Sequence, residues 1–353
     1  MKILVVGGAG FVGAALARTL RVKYPSSKVV AADNLKRRGS ELNLRPLRED
    51  DIEFVHLDIR NPADFDALDS NFDTIIDASA EPSVLAGLGG SPDYVVNANL
   101  VGTFNCLNFA RRRGGRFIFL STSRVYSIEP LTQLKLVETA TRFTLAADQS
   151  LPGVTTNGIS EAFPTHLYRS LYGATKIAAE YLIQEFVHAY HLKAAMYRCG
   201  VIAGPGQFGK ADQGVFTLWI ANHYFGKPLV YTGFGGTGKQ VRDLLHIADL
   251  CELVIGNLAL ESLYTGNPMN VGGGMKCSTS LAEFTVACRS IIGKDVPVVS
   301  RSETGLVDVP FYVSDCSLLF SQCSWQPRKT IEEIIQDTVQ WIRQNEDVLR
   351  NIL

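Results

Sequence analysis

Short apolar runs punctuate the first third of the chain. Ile3 to Val6, Val29 to Ala32, Phe54 to Leu57, Thr74 to Asp77 and Arg116 to Leu120 are each four or five residues long. The stretches between them carry helical spacing instead, most clearly Asp93 to Arg113. Buried strands that alternate with helices predict βαβ units, and so an α/β, doubly wound parallel sheet with helices on both faces. Ligands of such sheets bind at the carboxyl ends of the strands. Polar residues collect there in this chain: Asp33, Asp58, Ser79 to Glu81, and Ser121 to Ser123.

The first run leads into Gly7-Gly8-Ala9-Gly10-Phe11-Val12-Gly13 and then into a helical stretch, Ala14 to Leu20. Strand, glycine turn and helix in that order are what a dinucleotide pyrophosphate needs. Gly7 permits the tight turn, Gly10 admits the phosphates to the backbone, Gly13 lets helix and strand approach, and the helix N-terminus offers its N–H groups. Lys2 followed by an uncharged run also has the outline of a secretory signal. Glycine at every third position and Asp33 some twenty residues on argue against that, because a carboxylate there binds the adenosine ribose hydroxyls. Asp33 also favours NAD over NADP, whose 2′-phosphate it repels. Lys36, Arg37 and Arg38 read either as a solvated basic turn or as a site for that phosphate.

Between Ser127 and Leu167 lies a mixed polar stretch too long for an ordinary connector. A helical segment, Ser170 to Ala189, and a strand, Lys193 to Tyr197, follow it; from Gly204 the βα rhythm breaks down. The expected organisation is a dinucleotide-binding Rossmann domain at 1–200 with returning elements near 240–275. A smaller C-terminal substrate-binding lobe at 201–353 is interleaved with it.

Composition narrows the class. With 353 residues, 46% of them hydrophobic, a large core is affordable, and a formal net charge of -1 advertises neither nucleic acid nor an anionic membrane. Seven cysteines, odd in number and without a C-x-x-C pair, read as reduced thiols in a cytoplasm, and six histidines show no metal-ligand spacing. No metal is expected. His246 is expected to cap a strand.

Tyr172 and Lys176 are four apart in the predicted helix and share a face. An ammonium, with a nicotinamide cation nearby, favours the phenolate and brings the tyrosine toward a pKa at which it can take a proton from a sugar hydroxyl. Thr122, at the end of the run Arg116 to Leu120, is placed to orient that hydroxyl.

These motifs resemble the extended short-chain dehydrogenase/reductase family of nucleotide-sugar epimerases and dehydratases along essentially the whole chain. Within it the chain is most similar to the CDP-paratose 2-epimerase group, through Asp33-Asn34-Leu35 with Arg37-Arg38-Gly39, Gly158-Ile159-Ser160-Glu161, Gln207-Phe208-Gly209 with Asp212-Gln213-Gly214, and Gly238-Lys239-Gln240-Val241-Arg242-Asp243. The resemblance implies Thr122, Tyr172 and Lys176 as catalytic residues, with Tyr172 the base. It implies NAD as cofactor, held by Gly7, Gly10, Phe11, Val12, Asp33, Asn34, Arg38, Asp58, Ile59, Ala78, Ser79, Ala80, Asn99 and Ser121 together with Tyr172 and Lys176. For Asn99 a buried helix position is the competing role. Substrate contacts are expected from Ser123, Arg124, Arg198, Gln207, Gln213, Lys239 and Arg242. Arg242 matches the pyrophosphate arginine, which suits a guanidinium, against an ion pair with Asp243. Arg198, Gln207, Gln213 and Lys239 serve equally well as structural residues.

Dehydratases of the family place an Asp-Glu pair after the catalytic threonine, where this chain has Ser123 and Arg124. The expected activity is therefore inversion at carbon 2 of a CDP-sugar by transient oxidation. A 4-epimerase or a reductase is the related alternative, and an NAD(P)-binding sensor the distant one. Gly206 in place of an arginine, Leu171 in place of a proline, Ala203 in place of a tyrosine and a glycine-rich loop at 232–237 depart from the epimerase pattern and leave nucleotide and sugar open. A homodimer or homotetramer is expected from the family habit.

Overall fold

The structure is a computed structural model that describes residues 1–68, 71–209, 213–350 and 352. The five apolar runs form the strands β1 (Lys2–Val6), β2 (Lys28–Asp33), β3 (Glu53–His56), β4 (Thr74–Asp77) and β5 (Arg116–Thr122). With Lys193–Cys199 and Thr265–Val271 they build one seven-stranded sheet, ordered 265–271, 193–199, β5, β4, β1, β2, β3. The pairings among β1 to β5 are parallel. Helices on both faces explain why Ile3, Leu4 and Val5 are all fully buried, where a sheet with one wet face would alternate. The strand order reverses at β1, which has β2 on one side and β4 on the other. This reversal makes the carboxyl ends of β1 and β4 the natural crevice for a ligand.

The chain divides into two compact units. The first is Met1–Val125, Ser170–Arg198 and Cys251–Met269; the second is Tyr126–Arg169, Cys199–Leu250 and Asn270–Leu353. In the first, Leu4, Val30, Ile75, Phe117 and Phe119 pack with Phe65, Phe109, Ile183 and Phe186. Each such side chain contributes about 1.5–3 kcal/mol by leaving water.

Two helices of this unit matter for chemistry. The predicted helix over 93–113 forms as Asp93–Val96 and Gly102–Arg113 joined by a wide π turn, Asn97–Val101. Such turns recur at functional sites because they re-aim side chains. The helix Leu171–Tyr190 starts at Ser170, whose hydroxyl accepts the Gly173 N–H at 3.2 Å, and stops at His191 in a left-handed conformation, φ 56°.

In the second unit, Val201–Ala203, Val241–His246, Ser278–Ser280 and Phe311–Tyr312 form a sheet. Its core holds Phe216, Trp219, Phe284, Ile334 and Ile342. Capping boxes, Ser280 with Glu283 and Thr330 with Glu333, start its helices Leu281–Ile292 and Ile331–Gln344. The long polar stretch is structured. It holds a short helix, Ile128–Thr132, and two hairpins, Leu136–Glu138 with Phe143–Leu145 and Val154–Thr155 with Gly158–Ile159. Among the described residues no helix is long and apolar enough to cross a membrane.

Candidate active site

The glycine turn is built as its spacing predicts. Gly7 has φ +72°, and a Cβ there would lie 2.8 Å from the Ser79 backbone. At Gly13 a Cβ would lie 2.1 Å from the Gly7 carbonyl oxygen, so only glycine lets the helix Phe11–Lys23 press against the turn. Gly10 is the N-cap residue of that helix and supplies no capping side chain. Helix geometry leaves the N–H groups of Phe11, Val12 and Gly13 without intrahelical acceptors, aimed past Gly10.

At the end of β2 the Asp33 carboxylate accepts N–H bonds from Ala9 at 3.1 Å and Leu35 at 2.8 Å. Burial raises its pKa, and these donors pull it back. Asn34 reaches on to Asp58, donating from Nδ2 at 3.1 Å. Asp58 also takes a two-pronged bond from Arg60 at 2.9 and 2.5 Å, which holds its pKa at about 2. Arg60 lies 4.8 Å over the Tyr94 ring. Ile59 packs where a Cβ on Gly102 would stand 2.4 Å away. Arg38 is exposed, as is Ala80; Ala78 is half-buried at the end of β4.

Four residues expected at ligands are engaged by the protein itself. The Ser79 hydroxyl donates to Asp77 at 2.5 Å. Asn99 sits in the π turn, fully buried. Its side chain accepts from Glu81 N–H at 2.7 Å and donates to Glu81 O at 3.1 Å and to Thr175 Oγ1 at 3.2 Å. Thr175 in turn bonds the Tyr172 carbonyl at 2.8 Å, so Asn99 ties the loop after β4 to the first turn of the Tyr172 helix. Ser121 donates to Glu180 at 2.5 Å, and Arg198 grips the same carboxylate at 2.7 to 3.1 Å. Glu180 and Arg198 are 2% and 6% exposed, a buried ion pair, which favours the structural role for Arg198 over a substrate contact. Sequence reasoning passed over Glu180. Its signal was the spacing: Tyr172, Lys176 and Glu180 fall on successive turns of one face.

That face covers β5. The Lys176 ammonium lies 3.8 Å from the centre of the Phe119 ring. The helix also contacts the turn Ser123–Val125, directly after Thr122. Tyr172, Lys176 and Thr122 are 9%, 1% and 8% exposed, a site nearly closed to water. Thr122 Oγ1 accepts the Arg124 N–H at 3.1 Å, which leaves its own proton to donate. Ser123 and Arg124 are half-buried beside it.

In the second unit, Gln207 is buried, donating to Ile202 O at 3.0 Å and accepting from Thr217 at 2.5 Å; both ends of its amide hold the local loop. Lys239 pairs with Glu138 at 2.8 Å. Arg242 donates to the carbonyls of Val241 and Val309 at 2.7 and 2.8 Å. The Asp243 carboxylate lies elsewhere, accepting from Gly274 N–H at 3.2 Å, because neighbours on a strand point to opposite faces. Gln213 is half-buried, next to residues 210–212, which lie outside the described residues with the Asp212 of its motif. His246 ends its strand and accepts the Ala248 N–H at 3.0 Å, capping the following helix.

Residues 3–272 match the family described as NAD dependent epimerase/dehydratase. A CDP-paratose 2-epimerase of Salmonella typhi is 29% identical over 97% of this chain and 99% of its own. A dTDP-glucose 4,6-dehydratase of Salmonella typhimurium is 26% identical over 100% and 95%. Among solved structures, a UDP-glucuronic acid 4-epimerase of Bacillus cereus, with UDP-glucuronic acid and NAD, superposes with a TM-score of 0.78 at 23% identity, over 98% of this chain and 100% of that one. At that identity the likeness speaks for the fold.

Proposed function

Because the chain belongs to the NAD dependent epimerase/dehydratase family, we propose that it is an NAD-dependent nucleotide-sugar epimerase that inverts carbon 2 of a CDP-linked sugar through a transient ketone. The observation that carries this is Tyr172 and Lys176 on one buried helix face against β5, with Thr122 at the strand's end and no carboxylic acid at the next two positions. Oxidation and return of hydride need one base. Elimination of water needs a further acid, which neither Ser123 nor Arg124 can be.

The residues fit a dinucleotide. The uncapped helix end at Gly10 suits its phosphates, a left-handed Gly7 lets the turn form, and a carboxylate at the end of β2, Asp33, suits ribose hydroxyls. When bound, NAD supplies the hydride acceptor and gives the hydride back. Thr122 donates its hydroxyl proton to the sugar oxygen and so fixes its direction. Tyr172 takes the proton of that sugar hydroxyl and returns it when the opposite face is reduced. Lys176, held against Phe119, favours the phenolate by its charge. Arg242, whose fork now rests on two backbone carbonyls, offers a bidentate donor to a pyrophosphate.

The test incubates the enzyme with CDP-, UDP-, GDP- and dTDP-linked sugars in deuterated buffer. Inversion of carbon 2 of a CDP-sugar without deuterium uptake is the expected result. Uptake, or loss of water from the sugar, overturns the reading. Inversion at carbon 4 keeps Tyr172 in its role and changes the substrate.

A further inference from the structure

Three segments that follow different strands meet at the carboxyl edge of the sheet in the first unit. Tyr94 lies on the helix Asp93–Val96, which comes after β4; Lys36 follows β2 and Arg60 follows β3. In the strand order β4, β1, β2, β3, the strand that runs into the glycine turn separates the strand before the ring from the strands before the two cations. The Arg60 guanidinium stands 4.8 Å from the centre of the Tyr94 ring, and the Lys36 ammonium 5.7 Å from it. The contact therefore joins the two sides of the crevice in which a dinucleotide crosses that turn.

Each cation is held independently of the ring. Arg60 donates to Asp58 from Nε at 2.9 and 3.1 Å and from Nη2 at 2.5 Å, which fixes the plane of the guanidinium and leaves its face to the aromatic ring. The Lys36 N–H donates to Asn34 Oδ1 at 3.0 Å, and Leu35 before it is left-handed, φ 56°. A leucine takes that conformation only where its surroundings impose it. Here the Asp33 carboxylate does so by accepting the Leu35 N–H at 2.8 Å. Asn34 also donates to Asp58 at 3.1 Å, so the loops after β2 and β3 are one assembly, built on the carboxylate expected at the ribose. Tyr94 is half-buried, whereas Lys36 and Arg60 are exposed. Contacts between a cation and a ring at exposed sites are individually weak, so this one can open to admit a ligand and close behind it.

We propose that Tyr94, Lys36 and Arg60 form a latch over the adenosine half of NAD, which slows release of the cofactor. The epimerase reading gives the latch its purpose: the same NAD must take a hydride and give it back, and its departure between the two steps strands a ketone. The proposal rests on that reading for its purpose and is tested without it, through binding alone.

The protein is loaded with radiolabelled NAD and diluted into excess unlabelled NAD, and the retained label is followed with time. Tyr94→Ala is expected to release label about tenfold faster than the wild type, and Lys36→Met about threefold faster. Tyr94→Phe keeps the ring face and stays within about twofold. Calorimetric titration with ADP-ribose, which shares the adenosine half and lacks nicotinamide, should show Tyr94→Ala weakening it by the same factor as NAD. Equal release from the wild type and Tyr94→Ala overturns the latch, as does a loss of NAD affinity that spares ADP-ribose. Because the Lys36 side chain is exposed, Lys36→Met carries the test should Tyr94→Ala not fold, and unchanged release there is then the refuting result. A protein that turns over no nucleotide sugar yet loses NAD faster in Tyr94→Ala keeps the latch and loses the epimerase reading. An active epimerase with unaltered release loses the latch alone.

Discussion

Gly13→Ala and Gly10→Ala add the same methyl group three residues apart, and the structure expects opposite consequences. At Gly13 the new Cβ meets Gly7 O at 2.1 Å, Gly7 C at 2.7 Å and Gly8 Cα at 2.9 Å. All three are backbone atoms in the turn, so no side chain can rotate away, and the helix Phe11–Lys23 must move off by roughly 1 Å to restore an ordinary contact. Overpacking of that kind costs about 1–3 kcal/mol. At about 2–4 °C per kcal/mol for a unit of this size, the thermal midpoint of the ligand-free protein falls by roughly 2–12 °C. At Gly10 the methyl meets Gly7 O at 3.2 Å, a crowding of a few tenths of an ångström. Gly10 sits at φ -72° and ψ 172°, which any residue adopts. Gly10→Ala should therefore melt within about 1 °C of the wild type, a surface-like change. It should nonetheless bind NAD at least tenfold more weakly by calorimetric titration, because Gly10 is the N-cap of the helix whose N–H groups would take the phosphates, and a methyl there takes room from them. Unchanged NAD affinity in Gly10→Ala would refute the phosphate cradle, and an unchanged midpoint in Gly13→Ala would refute the packing argument.

Glu180→Gln and Arg198→Met should each cost about 3–5 kcal/mol in thermal or urea unfolding, since each strands a buried partner, while the double variant recovers most of the loss. Equal and additive losses would show the pair to be uncoupled. Tyr172→Phe should lower kcat by about 10² to 10⁴ with the folded structure intact by circular dichroism. Asp58 is held at about 2 by Arg60. A depressed carboxylate stabilises above its unfolded value near 4 and loses that contribution as pH falls through 2. Carboxyl NMR should place its midpoint near 2, moving toward the ordinary value in Arg60→Ala. The stability involved is below about 1 kcal/mol, because the pair is partly exposed.

What the sequence made legible follows from periodicity and local chemistry. Runs such as Ile3 to Val6 and Thr74 to Asp77 became strands because both faces of a parallel sheet are buried, a demand written in consecutive apolar residues. The glycine turn and the Tyr172 helix were readable because backbone conformation and four-residue spacing are short-range properties. The destinations of polar side chains were not, since these are decided by residues far along the chain. Ser121 and Arg198 stand 77 apart in sequence and converge on Glu180. Asn99 is joined to Thr175 across a separation of 76. In the 127–167 stretch, Arg142 reaches Glu283 and Ser278, and that long-range clamp organises a segment whose composition reads as loop. A buried carboxylate such as Asp77 looks, in sequence, like any acidic residue closing a strand. Only the fold shows that no water reaches it, and in a dry interior a charge must be answered by another. The answer to the buried Arg198 guanidinium, Glu180 eighteen residues earlier, is likewise a partner that pattern alone does not disclose.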